Sequence, residues 1–111
     1  MINWTRIQEL YEDFGADGAE DLFAAFLEET QEGQERLEAA TTPDTLQSEF
    51  HFLKGAALNM GFDEVSALCE QGEQRARDGQ EASDLKARVL SVLPATCAQF
   101  RQEWRSRVGL A

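Results

Sequence analysis

The chain has 111 residues, of which 42% are hydrophobic and 28% are charged, as is ordinary for one soluble globular domain. Its formal net charge of −11 argues against a nucleic-acid-binding protein, because phosphate backbones bind to basic surfaces. No apolar stretch approaches the roughly 18 residues that a membrane-spanning helix needs. The first residues also lack the basic start and apolar run of a signal peptide. We therefore expect a cytoplasmic protein that binds neither nucleic acid nor membrane.

Two further features of the composition have ordinary explanations. Cys69 and Cys97 match no zinc-ligand spacing, so we interpret them as small buried thiols rather than as a disulfide or part of a metal site. The acidic charge is concentrated in residues 1–64, which hold 15 acidic and 3 basic residues. Many of these acids fall on one predicted helix, and the pattern favours a solvated helix face over a docking surface.

Hydrophobic spacing predicts an all-α fold, since apolar residues recur at three- and four-residue steps and no segment alternates with period two. A short N-terminal helix is predicted over about 3–14, followed by a glycine-containing break over 15–18. Four longer helices are predicted over about 19–40, 43–60, 63–78 and 83–107. Short connections make sequential helices antiparallel, which predicts an up-down four-helix bundle with the first helix capping one end. Residues 1–111 would then form a single helical domain.

The predicted helix over 43–60 has clear signals at both ends and one apolar face. Thr42 is a suitable N-cap with Pro43 at the first helical position, and Gly61 is a natural left-handed stop. Apolar residues recur in a 4-3-4-3 pattern that predicts the packing face. They are Leu46, Phe50, Leu53, Ala57 and Met60.

His51, the only histidine of the chain, lies one residue beyond the core position Phe50, about 100° around the helix axis. A neutral imidazole can attack phosphorus without first losing a proton, and a cation one turn away can offset the charge of phosphoryl oxygens. A mid-helix glycine costs about 1 kcal/mol relative to alanine and leaves open space beside the ring. The pattern thus predicts a phosphoryl-accepting histidine assisted by a lysine on a surface that a partner approaches closely. The neighbours of His51 on this surface are Gln47, Lys54, Gly55 and Leu58.

Each of these residues also has an ordinary structural interpretation. A lone histidine between two phenylalanines is often a half-buried filler, and a lone lysine is usually solvated. The simultaneous occurrence of His51, Lys54 and Gly55 favours a function, because a mid-helix glycine requires a packing or access reason. The sequence holds no glycine-rich phosphate loop, kinase signature or carboxylate cluster for magnesium. A phosphoryl donor would have to bring the metal ion and the rest of the active site.

Residues 51–55, with the sequence HFLKG, and residues 59–61, with the sequence NMG, resemble the signature of histidine-containing phosphotransfer (HPt) domains. Residues 68–73 resemble that family's segment on the next helix, although Gly72 stands where a leucine is usual. Upstream, residues 26–29 and 37–40 resemble the helix before the histidine. The similarity covers nearly the whole chain, and its specific part ends at residue 61.

The resemblance implies a four-helix bundle whose exposed histidine carries phosphoryl groups between aspartates of receiver domains in a two-component phosphorelay. His51 would be the phosphorylated residue, Lys54 would hold the phosphoryl group, and Gly55 would let the receiver approach, with Gln47 and Leu58 beside it. The family acts as a carrier rather than a kinase, which implies no enzyme activity and no cofactor of its own, with Mg²⁺ on the receiver. The expected partners of this monomer are response-regulator receiver domains and a hybrid sensor histidine kinase.

A different class of function stays open as the alternative. The chain could be a non-catalytic helical adaptor that binds a receiver or kinase domain without carrying phosphate. The combination of histidine, lysine and glycine argues against this alternative, since a pure adaptor has no need of the nucleophile. A hydrolase or metal enzyme has less support, because one histidine without a second nucleophile–base pair leaves little to build an active site from.

Overall fold

The computed structural model describes residues 2–110, and this part of the chain folds into four helices without a β-strand. The predicted all-α fold is therefore confirmed. The second, third and fourth helices begin at the predicted residues, and each ends within one residue of the predicted end. The helices are α1 Trp4–Ala39, α2 Pro43–Asn59, α3 Asp63–Arg77 and α4 Ser83–Arg107.

Helix α1 contains a break at Gly15. This residue has φ 76° and ψ 174°, whereas the residues on both sides of it are helical. Only a residue without a Cβ adopts this combination of angles readily. The sequence predicted a break over 15–18 and a separate N-terminal helix, and the structure confines the break to one residue, after which the helix resumes at once. The glycine therefore kinks α1 rather than opening a loop.

The four helices form a ring in which α2 and α4 each contact both α1 and α3. Two contacts fix the direction of α1 against α2. Arg6 Nε donates to the carbonyl oxygen of Asn59 at 3.0 Å, and Arg36 pairs with Glu49 at 2.9 Å. The start of α1 thus lies beside the end of α2, which is the antiparallel arrangement that the short connections predicted.

Aromatic side chains from several helices fill one end of the core. The fully buried ring of Phe100 packs edge-to-face on Phe23 at 5.1 Å and on Phe62 at 5.8 Å between ring centroids. Trp4 and Trp104, which lie near opposite ends of the sequence, both stack on Phe100. Rings in these geometries add about 0.5–1.5 kcal/mol per pair beyond the burial of their area. The N-terminal part of α1 is therefore tied to this end of the bundle through Trp4.

The turn between α2 and α3 is also fixed by the N-terminal residues. Gly61 has the predicted left-handed φ, at 70°, and its carbonyl oxygen accepts a hydrogen bond of 2.7 Å from the backbone N–H of Asn3. A Cβ atom at position 61 would lie 2.9 Å from the Cβ of Asn3. Both the backbone angle and this close approach require glycine. The end of α2 is thereby held against the start of α1.

Helices α2 and α3 approach closely where Gly72 lies against the ring of Phe50. A Cβ atom at position 72 would lie 2.5 Å from Cζ and 2.6 Å from Cε1 of Phe50, which is closer than a Cβ atom approaches a non-bonded atom in proteins. The ring is fully buried and belongs to the residue that precedes His51. Phe50 therefore occupies the space into which the leucine usual at position 72 would project. The separation of the two helices beside the histidine depends on this pairing.

Gly72→Leu should lower the free energy of unfolding by about 1–3 kcal/mol or more, because the added side chain overlaps the Phe50 ring. Phe50→Ala should cost about 3–5 kcal/mol through the cavity that it leaves. The double variant should cost clearly less than the sum of the two, since the leucine then fills that cavity. Urea unfolding of the four proteins measures this coupling. Additive costs would show that the two positions do not compete for the same space.

Candidate functional site

Helix α2 presents His51 to solvent from a well-defined backbone. Thr42 caps the helix as predicted, since its side chain accepts from the N–H of Thr45 at 3.2 Å while Thr45 Oγ1 accepts from the N–H of Thr42 at 3.1 Å. The predicted packing face is also confirmed, because four of its five residues are buried and Leu46 is partly buried. The His51 side chain lies beside that face and is 69% exposed. The imidazole is therefore accessible and is not a buried filler.

A buried carboxylate from α3 holds one side of the imidazole. Glu73 has a side chain that is only 7% exposed, and its Oε2 lies 2.8 Å from Nδ1 of His51. Lys54 Nζ donates to Oε1 of the same carboxylate at 2.6 Å, and Arg77 donates to Oε2 at 3.1 Å. One carboxylate thus receives hydrogen bonds from two cations and the histidine.

The surroundings of Glu73 keep it ionised. Burial by itself would raise the pKa of Glu73, but the hydrogen bonds and charges of Lys54 and His51 outweigh it and lower the pKa below the ordinary 4.5. An ionised carboxylate has no proton to donate, so Nδ1 of His51 must carry the proton in this hydrogen bond. The neutral ring then has its lone pair on Nε2, on the far side from Glu73. The geometry therefore leaves Nε2 as the ring nitrogen with a free lone pair.

Glu73 and Arg77 were not among the site residues predicted from the sequence. They stand 22 and 26 positions after His51, on a different helix, so spacing within α2 gives no sign of them. The segment over residues 68–73 carried part of the family resemblance, but no role was attached to Glu73. The available signal was helical spacing, since residues 73 and 77 are one turn apart on α3 and form an i,i+4 ion pair.

An open cavity of about 400 Å³ lies beside the imidazole. The structure places Gln47, one of the predicted neighbours, in its wall together with the imidazole. No residue of α1 contributes to this wall, which is polar or charged throughout. Its lining residues are Asp44, Gln47, Ser48, His51 and Glu73.

Gly55 and Leu58 extend the exposed surface on the other side of His51. An added Cβ at position 55 would meet no atom within 4 Å, so the glycine leaves open space next to the ring. Leu58, two turns beyond the histidine, is among the exposed large apolar side chains. The structure thus brings Gln47, Lys54, Gly55 and Leu58 together around His51, as the helical spacing indicated.

The two cysteines do not line the cavity beside His51. Cys69 and Cys97 are free and buried, and burial, reinforced by the charge of Glu73, raises the pKa of Cys69 to about 12. Within residues 2–110 no three His, Cys, Asp or Glu side chains are grouped so as to hold a metal ion. In the same range, no helix combines the length and the apolar character needed to cross a membrane.

The fold and the site together define a four-helix bundle that presents one accessible histidine, with Nδ1 of its ring held by a buried carboxylate. Comparison with protein families assigns the chain to one of them: the Hpt domain matches residues 21–103 of the 111 residues. The chain therefore belongs to the Hpt domain family, as its sequence motif predicted. Hpt domains carry phosphoryl groups in phosphorelays and exchange them with partners such as receiver domains. No curated protein and no solved structure matches the chain.

Glu73→Gln should destabilise the protein near pH 7 but much less in acid. The lowered folded-state pKa means that the ionised carboxylate contributes stability fully above the ordinary value of 4.5, and that this contribution is lost as the pH falls through the lower folded-state value. Near pH 7 we expect a loss of about 2 kcal/mol in the free energy of unfolding, as for hydrogen bonds to charged groups. Urea unfolding of both proteins at a series of pH values from about 7 down through the carboxyl range measures the difference.

Glu49→Gln is the matched control for this measurement, because Glu49 pairs with Arg36 on the side of α2 that faces α1. Its pair with the exposed Arg36 should contribute less than about 1 kcal/mol at neutral pH. Equal costs for the two variants, or a cost of Glu73→Gln that is unchanged in acid, would contradict the role of Glu73 as an ionised anchor.

Proposed function

We propose that this protein relays phosphoryl groups between aspartates of receiver domains in a two-component phosphorelay, through phospho-His51. The observation that supports the proposal is the 2.8 Å hydrogen bond between Nδ1 of His51 and the buried Glu73, which directs the lone pair of Nε2 away from the protein. An exposed nucleophile with its proton held on the other ring nitrogen suits attack on phosphorus. The protein acts in this proposal as a carrier rather than an enzyme.

Transfer to His51 needs no proton to leave the ring. The lone pair of Nε2 attacks the phosphorus of a receiver's aspartyl phosphate, and the bond from phosphorus to the aspartyl oxygen breaks as the carboxylate leaves with the electron pair. Lys54, with its stem on the same helix face, is proposed to bind the phosphoryl oxygens during this step. The protein has no cofactor of its own in this proposal, and Mg²⁺ is expected on the receiver, where it supplies charge neutralisation.

The proposed docking surface consists of Gln47, Gly55 and Leu58. Gln47 offers an amide at the cavity wall, Leu58 offers an exposed apolar contact, and Gly55 leaves the space that a receiver needs to bring its aspartate to the ring. The partners are proposed to be response-regulator receiver domains and a hybrid sensor histidine kinase. We propose that the protein meets them as a monomer in the cytoplasm.

His51→Gln should abolish phosphoryl transfer, because the amide has no nucleophilic lone pair comparable to that of the imidazole. Wild-type protein incubated with a radiolabelled, phosphorylated receiver should gain a label that is labile to acid and stable to alkali, and the variant should gain none. Losing the hydrogen bond to the buried Glu73 should lower the free energy of unfolding by about 1–3 kcal/mol, so urea unfolding checks that the variant is folded in the assay. A label retained in the variant would assign the phosphoryl group to another residue.

The same experiment separates the relay from the adaptor alternative. Receiver binding is measured for wild type and His51→Gln by calorimetry, beside the transfer assay. An adaptor would bind the receiver in both forms, and neither form would become labelled. That result would replace the proposed function.

Gly55→Gln should slow transfer while making the isolated protein more stable. The new side chain meets no neighbouring atom near its Cβ, and removing a mid-helix glycine should raise the free energy of unfolding by about 0.5–1 kcal/mol. The same side chain would hold the receiver away from the ring, and misplacement by about 1 Å is enough to reduce rates on the order of a hundredfold. Phosphoryl-transfer assays quenched at successive times measure the rate, and urea unfolding measures the stability.

Two variants control for this result. Gly55→Ala adds a single methyl group and should give the gain in stability with a smaller loss of rate. Ala87→Gln adds the same amide on the exposed surface of α4 and should leave the rate unchanged. A Gly55→Gln protein that transfers at the wild-type rate would remove Gly55 from the docking surface.

A further inference from the structure

The carboxylate of Glu73 has more positive partners than one negative charge requires. Lys54 and Arg77 both donate to it, and His51 provides a third hydrogen bond. A buried carboxylate is stable only with a charged or strongly hydrogen-bonding partner, so one cation would be sufficient. The two cations differ from the carboxylate in exposure, since the Lys54 side chain is 28% and the Arg77 side chain 54% exposed, against 7% for Glu73. Both cations can therefore turn toward solvent while the carboxylate stays in place.

We propose that Glu73 is a positioning residue that exchanges partners on phosphorylation, holding phospho-His51 as an imidazolium while Lys54 and Arg77 move to the phosphoryl oxygens. This inference rests on the proposed function, because it requires phosphorylation of His51 at Nε2. The hydrogen bond of 2.8 Å to Nδ1 stays in place throughout, and its character changes from a bond to a neutral ring into an ion pair.

The electron count explains why the ring becomes a cation. Before transfer the imidazole is neutral, with a proton on Nδ1 and a lone pair on Nε2. When Nε2 gives that pair to phosphorus, the ring gains a positive charge and still carries the proton on Nδ1. Without an anion beside it, this ring readily loses the proton to water and becomes a neutral phosphoimidazole. The fixed carboxylate favours the charged form.

The charged form is the better phosphoryl donor. When a receiver aspartate or a water molecule attacks phosphorus, the Nε2–P bond breaks and its electron pair returns to the ring. An imidazolium leaves as neutral imidazole, whereas a neutral phosphoimidazole would have to leave as an imidazolate anion or take up a proton during the step. Glu73 would therefore keep the phosphoryl group ready for onward transfer and would also make it more easily hydrolysed.

The other charged groups around the ring are few. On α2 itself, Asp44 lines the cavity and adds a second negative charge, and Lys54 adds a positive one. From α3 come Glu73 and Arg77, while α1 contributes no residue to the cavity wall. Of these, Glu73 is in direct contact with the ring, which makes it the group whose removal should change the protonation of the phosphohistidine most.

The test measures hydrolysis of the phosphohistidine against pH. Full-length wild type, Glu73→Gln and the control Glu49→Gln are phosphorylated with phosphoramidate, and loss of the phosphoryl group is followed by ³¹P NMR after the reagent is removed. In Glu73→Gln the pH of half-maximal hydrolysis should fall by about one unit or more, as for loss of a charged neighbour. Near neutral pH its phosphoryl group should then last on the order of ten times longer. The Glu49→Gln profile should coincide with that of wild type.

Each outcome has a distinct meaning. If wild type takes up no phosphoryl group on His51, the proposed function fails together with the inference. If wild type is phosphorylated and its pH profile coincides with that of folded Glu73→Gln, the partner exchange is wrong and the relay stands.

Should Glu73→Gln fail to fold, Lys54→Met provides a test of opposite sign. Removing this cation takes away a positive charge that, once on the phosphoryl oxygens, lies close to the cationic ring, so the pH of half-maximal hydrolysis should rise. A fall in Lys54→Met would overturn the proposal.

Discussion

The hydrogen bonds of one buried carboxylate connect the two helices that form the site. Glu73 lies on α3, while His51 and Lys54 lie on α2, and both bonds to α2 are shorter than 2.9 Å. Because the carboxylate is withdrawn from water, it needs at least one cationic partner for the fold to be stable, and its bond to His51 also orients the ring. The same contact therefore determines the tautomer of the histidine, the resting position of the lysine and the alignment of α2 against α3.

Packing beneath the surface makes that contact possible. The ring of Phe50 fits against Gly72, which lets α3 come close enough for the adjacent Glu73 to reach the adjacent His51. Each member of the polar pair is thus next in sequence to a member of the apolar pair. A larger residue at position 72 would push the helices apart at the point where the polar contact needs them close. The ring of Phe50 therefore fills the space that the glycine at position 72 leaves open.

Features that depend on residue spacing within one helix could be predicted from the sequence. The ends of α2 followed from Thr42 and Gly61, and the grouping of Lys54 and Gly55 around His51 followed from helical periodicity. Contacts between helices were not predictable in this way, because they depend on how far one helix is shifted along another. For that reason the sequence did not identify Glu73 and Arg77 as residues of the site. The role of a residue could be inferred from the sequence only where its contacts lie within the same helix.

Capping shows the same limit on a smaller scale. Asp63 and Ser83 have side chains that are common at N-caps, but each is the first residue of its helix, and the caps are Phe62 and Ala82. At α4 the N–H groups of Ala82 and Ser83 are satisfied instead by the side chain of Glu81.

The hydrogen bond from Asn3 to the turn at Gly61 has a consequence for the two helices that this turn connects. That turn joins α2 to α3. The hydrogen bond from Asn3 therefore restricts sliding of the two helices along each other. In the proposed function, docking would then require little ordering of the surface, so little binding energy would be lost to conformational entropy at the encounter.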